Sequence, residues 1–132
     1  MQIFLRAAIT QRAGVTTDHG PLVRNPLNND QGEQIFVMSV VVAERIRKLE
    51  DVALRSIGDI ARHQRVHDND ASSLTPEAML ADLLASNQEL IKYLRATHEV
   101  CDQHNDVATA SLIENWIDET ERRAWFLYEI LH

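Results

Sequence analysis

The chain has 132 residues, enough for one domain with a hydrophobic core but not for two. Its net charge of −7 at pH 7 argues against a basic surface that would bind nucleic acid. A single cysteine, Cys101, excludes an internal disulfide framework and favours a reducing compartment. Neither a signal peptide nor a membrane-spanning run is predicted, so we expect a cytoplasmic protein with no membrane partner.

The first thirty residues predict little regular structure. Residues 2–12 favour a short helix of about three turns, which is marginal on its own. Residues 13–30 hold two of the three prolines, and the pairs Gly20-Pro21 and Asn25-Pro26 are turn signals. We therefore expect a loop across most of this segment.

Two helices are predicted next. From about residue 29 to 49 the apolar residues recur at helical spacing, and Glu44 and Lys48 are placed to form an i,i+4 ion pair. This stripe consists of Ile35, Met38, Val42, Ile46 and Leu49. The β-branched block 36–42 could form a strand on propensity alone, but no second strand exists to pair with it, so a well-buried helix is preferred. Residues 52–66 predict a shorter helix, followed by a polar loop.

Two longer helices complete the chain. Thr75, Pro76 and Glu77 form a strong helix start, and the apolar stripe that follows continues to about Gln103. After a short polar connection, the last helix covers residues 106–131. Its predicted buried stripe consists of Leu112, Ile113, Trp116, Ile117, Leu127, Ile130 and Leu131. Its predicted charged face consists of Glu114, Asp118, Glu119, Glu121, Arg122 and Arg123. Amphipathic helices of this kind predict an antiparallel helical bundle.

Several runs resemble the Dps proteins, small ferritin-like proteins of starved bacteria. The run 105–112 (NDVATASL), followed by 116–119 (WIDE) and 125–127 (WFL), looks like the last helix of that family. The runs 42–46 (VAERI) and 54–58 (LRSIG) are similar to it as well. The resemblance extends from about Gln31 to the end, and residues 1–30 are divergent. The chain is thus expected to be a single ferritin-like domain over residues 1–132.

The resemblance implies an all-α fold, a ferritin-like four-helix bundle with a short extra helix between the second and third helices. It also implies a hollow homododecamer whose subunits pair through their second helices. In Dps proteins, Fe(II) is oxidised by hydrogen peroxide between two subunits, and the ferric mineral fills the cavity. Iron is therefore the expected metal. DNA is a partner of many family members, but this chain lacks their basic tail.

The family's iron-oxidising site is largely missing. Glu44 occupies the glutamate position of the family's D-x-x-x-E pair, where the aspartate position is Val40. The preceding acidic position falls at Asn29, and the two histidine positions fall at Asn25 and Ala13. Asp30, Glu33 and the pair Asp18-His19 could supply substitute donors, although solvated loop and helix-start residues are the more ordinary interpretation. The resemblance thus implies a degenerate site with Glu44 as its catalytic and metal-binding residue and Asp30 as a second ligand. Alternatively, Glu44 is only a surface residue paired with Lys48.

Asp106 matches the acidic pore through which the family's shells draw in cations, and Asp102 lies one turn before it. Ala110 stands where some members have another acid. From the residues alone, Asp106 is equally well a helix N-cap, and both roles can hold at once.

The histidines give a weaker signal. Asp59, His63 and His67 have metal-ligand spacing on one helix face, but an exposed polar face is favoured because no second cluster completes the site. His98 lies on an apolar stripe and is expected to be a satisfied core or interface histidine. Cys101 is predicted to be buried and inert.

Three functional hypotheses follow. The first is iron sequestration and protection against iron and peroxide, with weak oxidation at Glu44. The second is a catalytically inactive structural or interaction member of the ferritin-like family. The third is that residues 1–30 are not the natural partner of the remainder, which predicts obligate oligomers or poor solubility. Whether the protein is an enzyme stays open at this point.

Overall fold

The computed structural model describes residues 26–66, 69, 71 and 73–132, with side chains from residue 31 onward. The chain divides into two compact units, residues 1–69 and residues 70–132. The described residues form four helices and no strand, which confirms the predicted all-α class. The helices are α1 (Pro26–Lys48), α2 (Ile57–Arg62), α3 (Pro76–Gln103) and α4 (Val107–Leu131). The predicted helix over 2–12 and the loop over 13–25 lie outside the described residues.

Helix α1 begins at Pro26, so the prediction of a loop across residues 26–28 is wrong. Proline is well suited to the first turn of a helix because the N–H it lacks would have had no partner there. The block 36–42 is helical rather than extended, as preferred. Ile35 and Met38 are buried, at 0% and 2% exposure. Burying side chains of this size contributes about 1.5–3 kcal/mol each.

The opposite side of α1 is apolar and exposed. Phe36, Val37 and Val40 are 53%, 60% and 45% exposed. The expectation of a well-buried helix is therefore wrong for this face, because residues 36, 37 and 40 project away from the side that carries Ile35 and Met38. Leu49, predicted to lie on the buried stripe, is 52% exposed because the helix has already ended.

The end of α1 is closed by a left-handed residue that is not glycine. Glu50 has φ 61°. Its N–H donates to the carbonyl of Arg47 at 3.1 Å, and the N–H of Asp51 donates to the carbonyl of Ile46 at 3.1 Å. This is the Schellman pattern, in which a glycine normally occupies the left-handed position. Glu50 therefore holds the turn at a conformational cost.

Helix α2 is shorter than the predicted helix over 52–66. Ser56 is its N-cap and accepts from the N–H of Asp59 at 3.1 Å, while His63 is its C-cap. Residues 51–55 are not helical. The apolar residues recur at helical spacing from residue 52 onward, but the helix begins only after Ser56, whose side chain caps it. The small helix still falls between α1 and α3, as predicted.

Helix α3 starts as its sequence predicts. The hydroxyl of Thr75 accepts from the N–H of Ala78 at 3.2 Å, and Pro76 is the first helical residue. The helix ends in a Schellman turn at Asn105, whose φ is 56°. The N–H of Asp106 donates to the carbonyl of Cys101 at 2.9 Å within this turn. Asparagine tolerates the left-handed region, so a very short connection suffices between α3 and α4.

Side-chain pairs show that α3 and α4 pack antiparallel. Asn87 of α3 contacts Arg123 of α4, and His98 contacts Glu114. A residue nearer the end of α3 thus contacts a residue nearer the start of α4. The apolar core of this hairpin consists of Leu90, Leu94, Cys101, Ala110, Ile113, Trp116, Ala124 and Leu127. The predicted burial of Cys101 is confirmed, whereas Ile130 is 46% exposed at the edge of the buried face.

Arg123 lies in this core rather than on the charged face, where the sequence pattern placed it. It is 4% exposed. Its Nε donates to Oδ1 of Asn87 at 3.2 Å, and its Nη2 donates to the hydroxyl of Thr120 at 2.6 Å. The pattern of charges was misleading, since position 123 lies only about 20° from Trp116 around the helix and so belongs to the buried side. A charged residue at a core position can be buried when its donors are satisfied.

None of the helices that the structure describes is long and apolar enough to cross a membrane.

Candidate metal sites

Glu44 lies on the exposed side of α1, one helical turn after Val40. The i,i+4 spacing puts both on one face, where two carboxylates could hold a metal ion. The isopropyl group of Val40 offers no donor atom. Among the described residues no ion pair joins Glu44 to Lys48, so the alternative in which this glutamate is held by that lysine is not supported. Glu44 is thus an exposed carboxylate that shares its helix face with apolar side chains.

Asp30 is far from Glu44 within one chain. Both residues lie in α1, and fourteen residues of helix correspond to about 21 Å. The two carboxylates of one chain therefore cannot ligate the same ion. The side chains of Asn29 and Asp30, together with residues 13 and 25, lie outside the described residues. The role of Asp30 as a ligand stays a prediction.

Asp106 is confirmed as the N-cap of α4. Its Oδ1 accepts from the N–H of Thr109 at 3.1 Å, and its Oδ2 accepts from the hydroxyl of the same residue. Its side chain is half-buried, because both carboxylate oxygens turn back onto the first turn. A carboxylate at a helix N-terminus is also favoured by the helix dipole. The cap role is thus established, and the predicted pore role stays a prediction.

Asp102 points into solvent, with 64% of its side chain exposed. Its Oδ2 lies 3.3 Å from Nδ1 of His98, one turn earlier on α3. On the other side of the imidazole, Nε2 lies 3.0 Å from Oε1 of Glu114 on α4. His98 was predicted to be a core or interface histidine whose ring nitrogens have partners. Both nitrogens do have partners, and these are two carboxylates. The His98–Asp102 spacing of four residues was the signal in the sequence, and Glu114 could be placed only by the hairpin.

The predicted trio of Asp59, His63 and His67 does not assemble a metal site among the described residues. The carboxylate of Asp59 pairs with Arg62, and the Nδ1 of His63 donates to the backbone carbonyl of Asp59 at 2.9 Å. His67 lies outside the described residues. Asp59 and His63 thus have partners on their own helix, and the interpretation of the trio as an exposed polar face stays a prediction.

In the part of the chain that the structure describes, no group of three or more histidine, cysteine, aspartate or glutamate residues could hold a metal ion. The strongest electrostatic perturbation lies in the hairpin core instead. Burial lowers the pKa of Arg123 to about 10, while the nearby carboxylate of Glu119 raises it and the charge of Arg122 lowers it. The guanidinium therefore stays charged at neutral pH and does not act as a base.

A family model described as a ferritin-like domain matches residues 30–132, which is most of the chain. The chain belongs to the ferritin-like family. No curated protein sequence matches it with significance.

Solved structures of Dps proteins share its fold. The Dps of Thermosynechococcus elongatus is 23% identical with a TM-score of 0.90, and the alignment covers 99% of this chain and 85% of that one. A point mutant of Dps1 from Mycobacterium smegmatis is 22% identical with a TM-score of 0.88, covering 99% of this chain and 89% of that one. The Dps of Vibrio cholerae O1 is 16% identical with a TM-score of 0.90, covering 99% and 83%.

The V. cholerae protein is described as a member of a broad superfamily of ferritin-like diiron-carboxylate proteins. At these identities the likeness establishes the fold. The resemblance to Dps proteins, carried by runs such as 105–112, is confirmed at that level, as is the ferritin-like four-helix bundle.

Proposed function

We propose that this ferritin-like protein sequesters iron in the cytoplasm as a hollow, Dps-like homo-oligomeric shell whose iron-oxidising site is degenerate. The observation that carries the proposal is the overlay on Dps structures along 99% of the chain, combined with a helix α1 on which Glu44 stands without a second carboxylate one turn away. We also propose that residues 1–132 form a single domain, because the family model runs across the boundary between the two compact units.

The exposed apolar face of α1 supports assembly. Phe36, Val37 and Val40 are all large apolar side chains about half or more exposed on one face. Contiguous apolar surface of this kind is typical of an interface. Pairing α1 with α1 of a second copy would cover it, as the resemblance to Dps implies, and the proposed end product is a homododecamer.

Such pairing would also bring two distant carboxylates together. Because Glu44 and Asp30 of one chain are about 21 Å apart, a shared ion requires the two residues to come from different copies. An antiparallel pair of α1 helices places the start of one helix beside the end of the other. Iron accepts carboxylate oxygens as ligands, so a two-carboxylate site would bind Fe(II) more weakly than the family's full set.

Asp106 and Asp102 are proposed to attract cations towards the shell. Asp102 is exposed, and the carboxylate of Asp106 is fixed at the start of α4 by Thr109. Neighbouring negative charge raises the local concentration of cations and accelerates their arrival. The overall charge of −7 acts in the same direction and gives no support to DNA as a partner.

The second candidate is a catalytically inactive structural or interaction member of the family. The valine at position 40 favours it, because a single carboxylate on a helix face does not assemble a site for two reacting ions. Two variants decide between the candidates. Glu44→Gln removes the charge at the proposed ligand, and Glu77→Gln removes the charge of an exposed glutamate on α3.

The measurement is the initial rate of Fe(II) oxidation by hydrogen peroxide, followed by the absorbance of the ferric product. Retained chemistry predicts a rate above buffer that falls at least tenfold in Glu44→Gln and is unchanged in Glu77→Gln. A wild-type rate equal to that of buffer would leave the inactive shell as the function. Equal rates in all three proteins, above buffer, would remove Glu44 from the mechanism.

A further inference from the structure

A group of polar side chains with no role assigned so far lies near the connected end of the α3–α4 hairpin and is centred on His98. Helix α3 supplies His98 and Asp102 four residues apart, and α4 supplies Glu114 from the facing side. The histidine side chain is 24% exposed, whereas those of Asp102 and Glu114 are 64% and 65% exposed. Among the described residues, neither carboxylate has another ion pair. An ion in solvent can therefore reach the cluster.

The contact between His98 and Glu114 depends on which ring nitrogen of the imidazole carries the proton. In a neutral imidazole, one ring nitrogen carries a proton and the other carries a lone pair. When Nδ1 holds its proton towards Asp102, Nε2 and the Oε1 of Glu114 are two electron-pair donors only 3.0 Å apart. In this tautomer a cation between the two atoms stabilises the contact, whereas in the other tautomer Nε2 itself donates its proton to Glu114 and the lone pair of Nδ1 faces Asp102.

The spacing suits a metal ion. Zinc bonds to histidine nitrogen and to carboxylate oxygen are about 2.0–2.2 Å long, so donor atoms 3.0 Å apart subtend about 90–95° at a shared ion. That angle requires only a small outward movement of the exposed Glu114 to become tetrahedral. Imidazole with carboxylate favours zinc, iron or cobalt over magnesium and calcium.

Asp102 supplies the outer contact that such a site needs. A histidine that binds a metal almost always donates its other ring N–H to a carboxylate or carbonyl, which fixes the tautomer and orients the ring. The Oδ2 of Asp102 stands 3.3 Å from Nδ1 and can accept this bond. Because His98 and Asp102 are four residues apart on α3, this helix alone places their side chains next to each other.

We propose that Nε2 of His98 and the carboxylate of Glu114 bind a divalent transition-metal ion, with Asp102 as the positioning residue of His98. Water completes the coordination, since the described residues bring no third protein ligand to the ion. The site is distinct from the proposed iron site at Glu44 and does not depend on iron oxidation.

Calorimetric titration of chelator-treated protein with zinc tests the proposal. Wild type is expected to take up one zinc per chain at this site, and His98→Gln should lose that equivalent. Glu114→Gln should bind at least tenfold more weakly, and Asp102→Asn about 10–100-fold more weakly. His104→Gln is the matched control, because this exposed histidine lies at the same end of α3 and should bind as wild type does.

Two results would overturn the proposal. Equal zinc uptake by wild type and His98→Gln would show that the cluster holds only a proton. Unchanged zinc affinity in Glu114→Gln would also overturn the proposal. Because position 114 is exposed, this variant keeps the test valid even if His98→Gln fails to fold. Because the iron test uses Glu44→Gln and this one uses zinc with other variants, either proposal can fail alone.

Discussion

Arg123 of α4 donates from Nε to the side-chain oxygen of Asn87 on α3, and both residues are almost fully buried, at 4% and 3% exposure. The amide nitrogen of Asn87 donates in turn to the carbonyl of Leu83 at 2.8 Å. The hydroxyl of Thr120, 0% exposed, accepts from Arg123 and donates to the carbonyl of Trp116. This polar network links the two helices inside an apolar core.

Replacing Asn87 by leucine should destabilise the protein by about 3 kcal/mol. The change removes an acceptor and leaves a buried guanidinium short of a partner, which is costly because the charge cannot reach water. Replacing both residues, Asn87→Leu with Arg123→Met, should cost less than the sum of the single changes, with a coupling of about 1–2 kcal/mol. Urea unfolding of the four proteins measures the cycle. Arg122→Met is the control, because it removes the charge of the exposed neighbouring residue. If the effects of Asn87→Leu and Arg123→Met on the free energy of unfolding are additive, the two residues are not coupled.

The two roles given to Asp106 can be separated by substitution. Asp106→Ala should cost about 1 kcal/mol of stability, because the N–H of Thr109 loses its acceptor. Asp106→Asn should cost little, since asparagine caps as well as aspartate, yet it removes the charge. If Asp106 also attracts cations, the asparagine variant should take up iron more slowly at unchanged stability. Uptake equal to that of wild type would leave Asp106 as a cap only.

Glu50→Gly should stabilise the protein by about 0.5–1 kcal/mol. The left-handed φ of 61° costs a side chain with a Cβ more than it costs glycine, and the acidic charge near the C-terminus of α1 opposes the helix dipole. Glu50→Ala is the matched control, because it removes the charge but keeps the Cβ. Thermal unfolding separates the two, and equal stability of the glycine and alanine variants would mean that the backbone conformation is not the cause.

Val40→Asp recreates the paired carboxylates on α1 and should raise the rate of iron oxidation. The new aspartate stands one turn before Glu44, on the same face. Val40→Asn has a similar size and polarity without the charge, so it should not raise the rate. Combining Val40→Asp with Asn29→Asp and Ala13→His, which restores a family histidine position, should raise it further. No gain in any of these variants would mean that the local backbone has diverged along with the ligands.

Phe36→Glu should disrupt assembly. A charge placed in the exposed apolar face of α1 would be buried without a partner when a second copy packs there. Ile57→Glu is the control, since Ile57 is 84% exposed on α2 and lies on another element. Light scattering should give a smaller particle for Phe36→Glu alone. The same particle mass in both variants and in wild type would place the interface elsewhere.

Sequence patterns predicted the two long helices α3 and α4 and their N-caps because both depend on local chemistry. Thr75 and Asp106 each have a side-chain oxygen that can satisfy the first N–H groups of a helix, and both do so. The four-helix bundle was predicted from the resemblance to Dps proteins. The spacing of apolar residues alone predicted only an antiparallel bundle, without its topology.

Features that depend on contacts between helices were missed or misplaced. Arg123 was assigned to solvent because charge outweighed its angular position, whereas Asn87 and Thr120 provide the partners that make burial possible. The third member of the His98 cluster, Glu114, comes from another helix, so no spacing along the chain could indicate it. The role of Asp30 as an iron ligand falls on a side chain outside the described residues and stays a prediction.

The central claim is that this chain forms a shell that holds iron. The most direct measurement is the mass of the particle by light scattering, together with the iron content of that same peak, after Fe(II) and hydrogen peroxide have been added. We expect a particle near 180 kDa, or twelve chains of 15.0 kDa, that retains soluble ferric iron. A stable monomer, with the iron precipitating outside the protein, would contradict it.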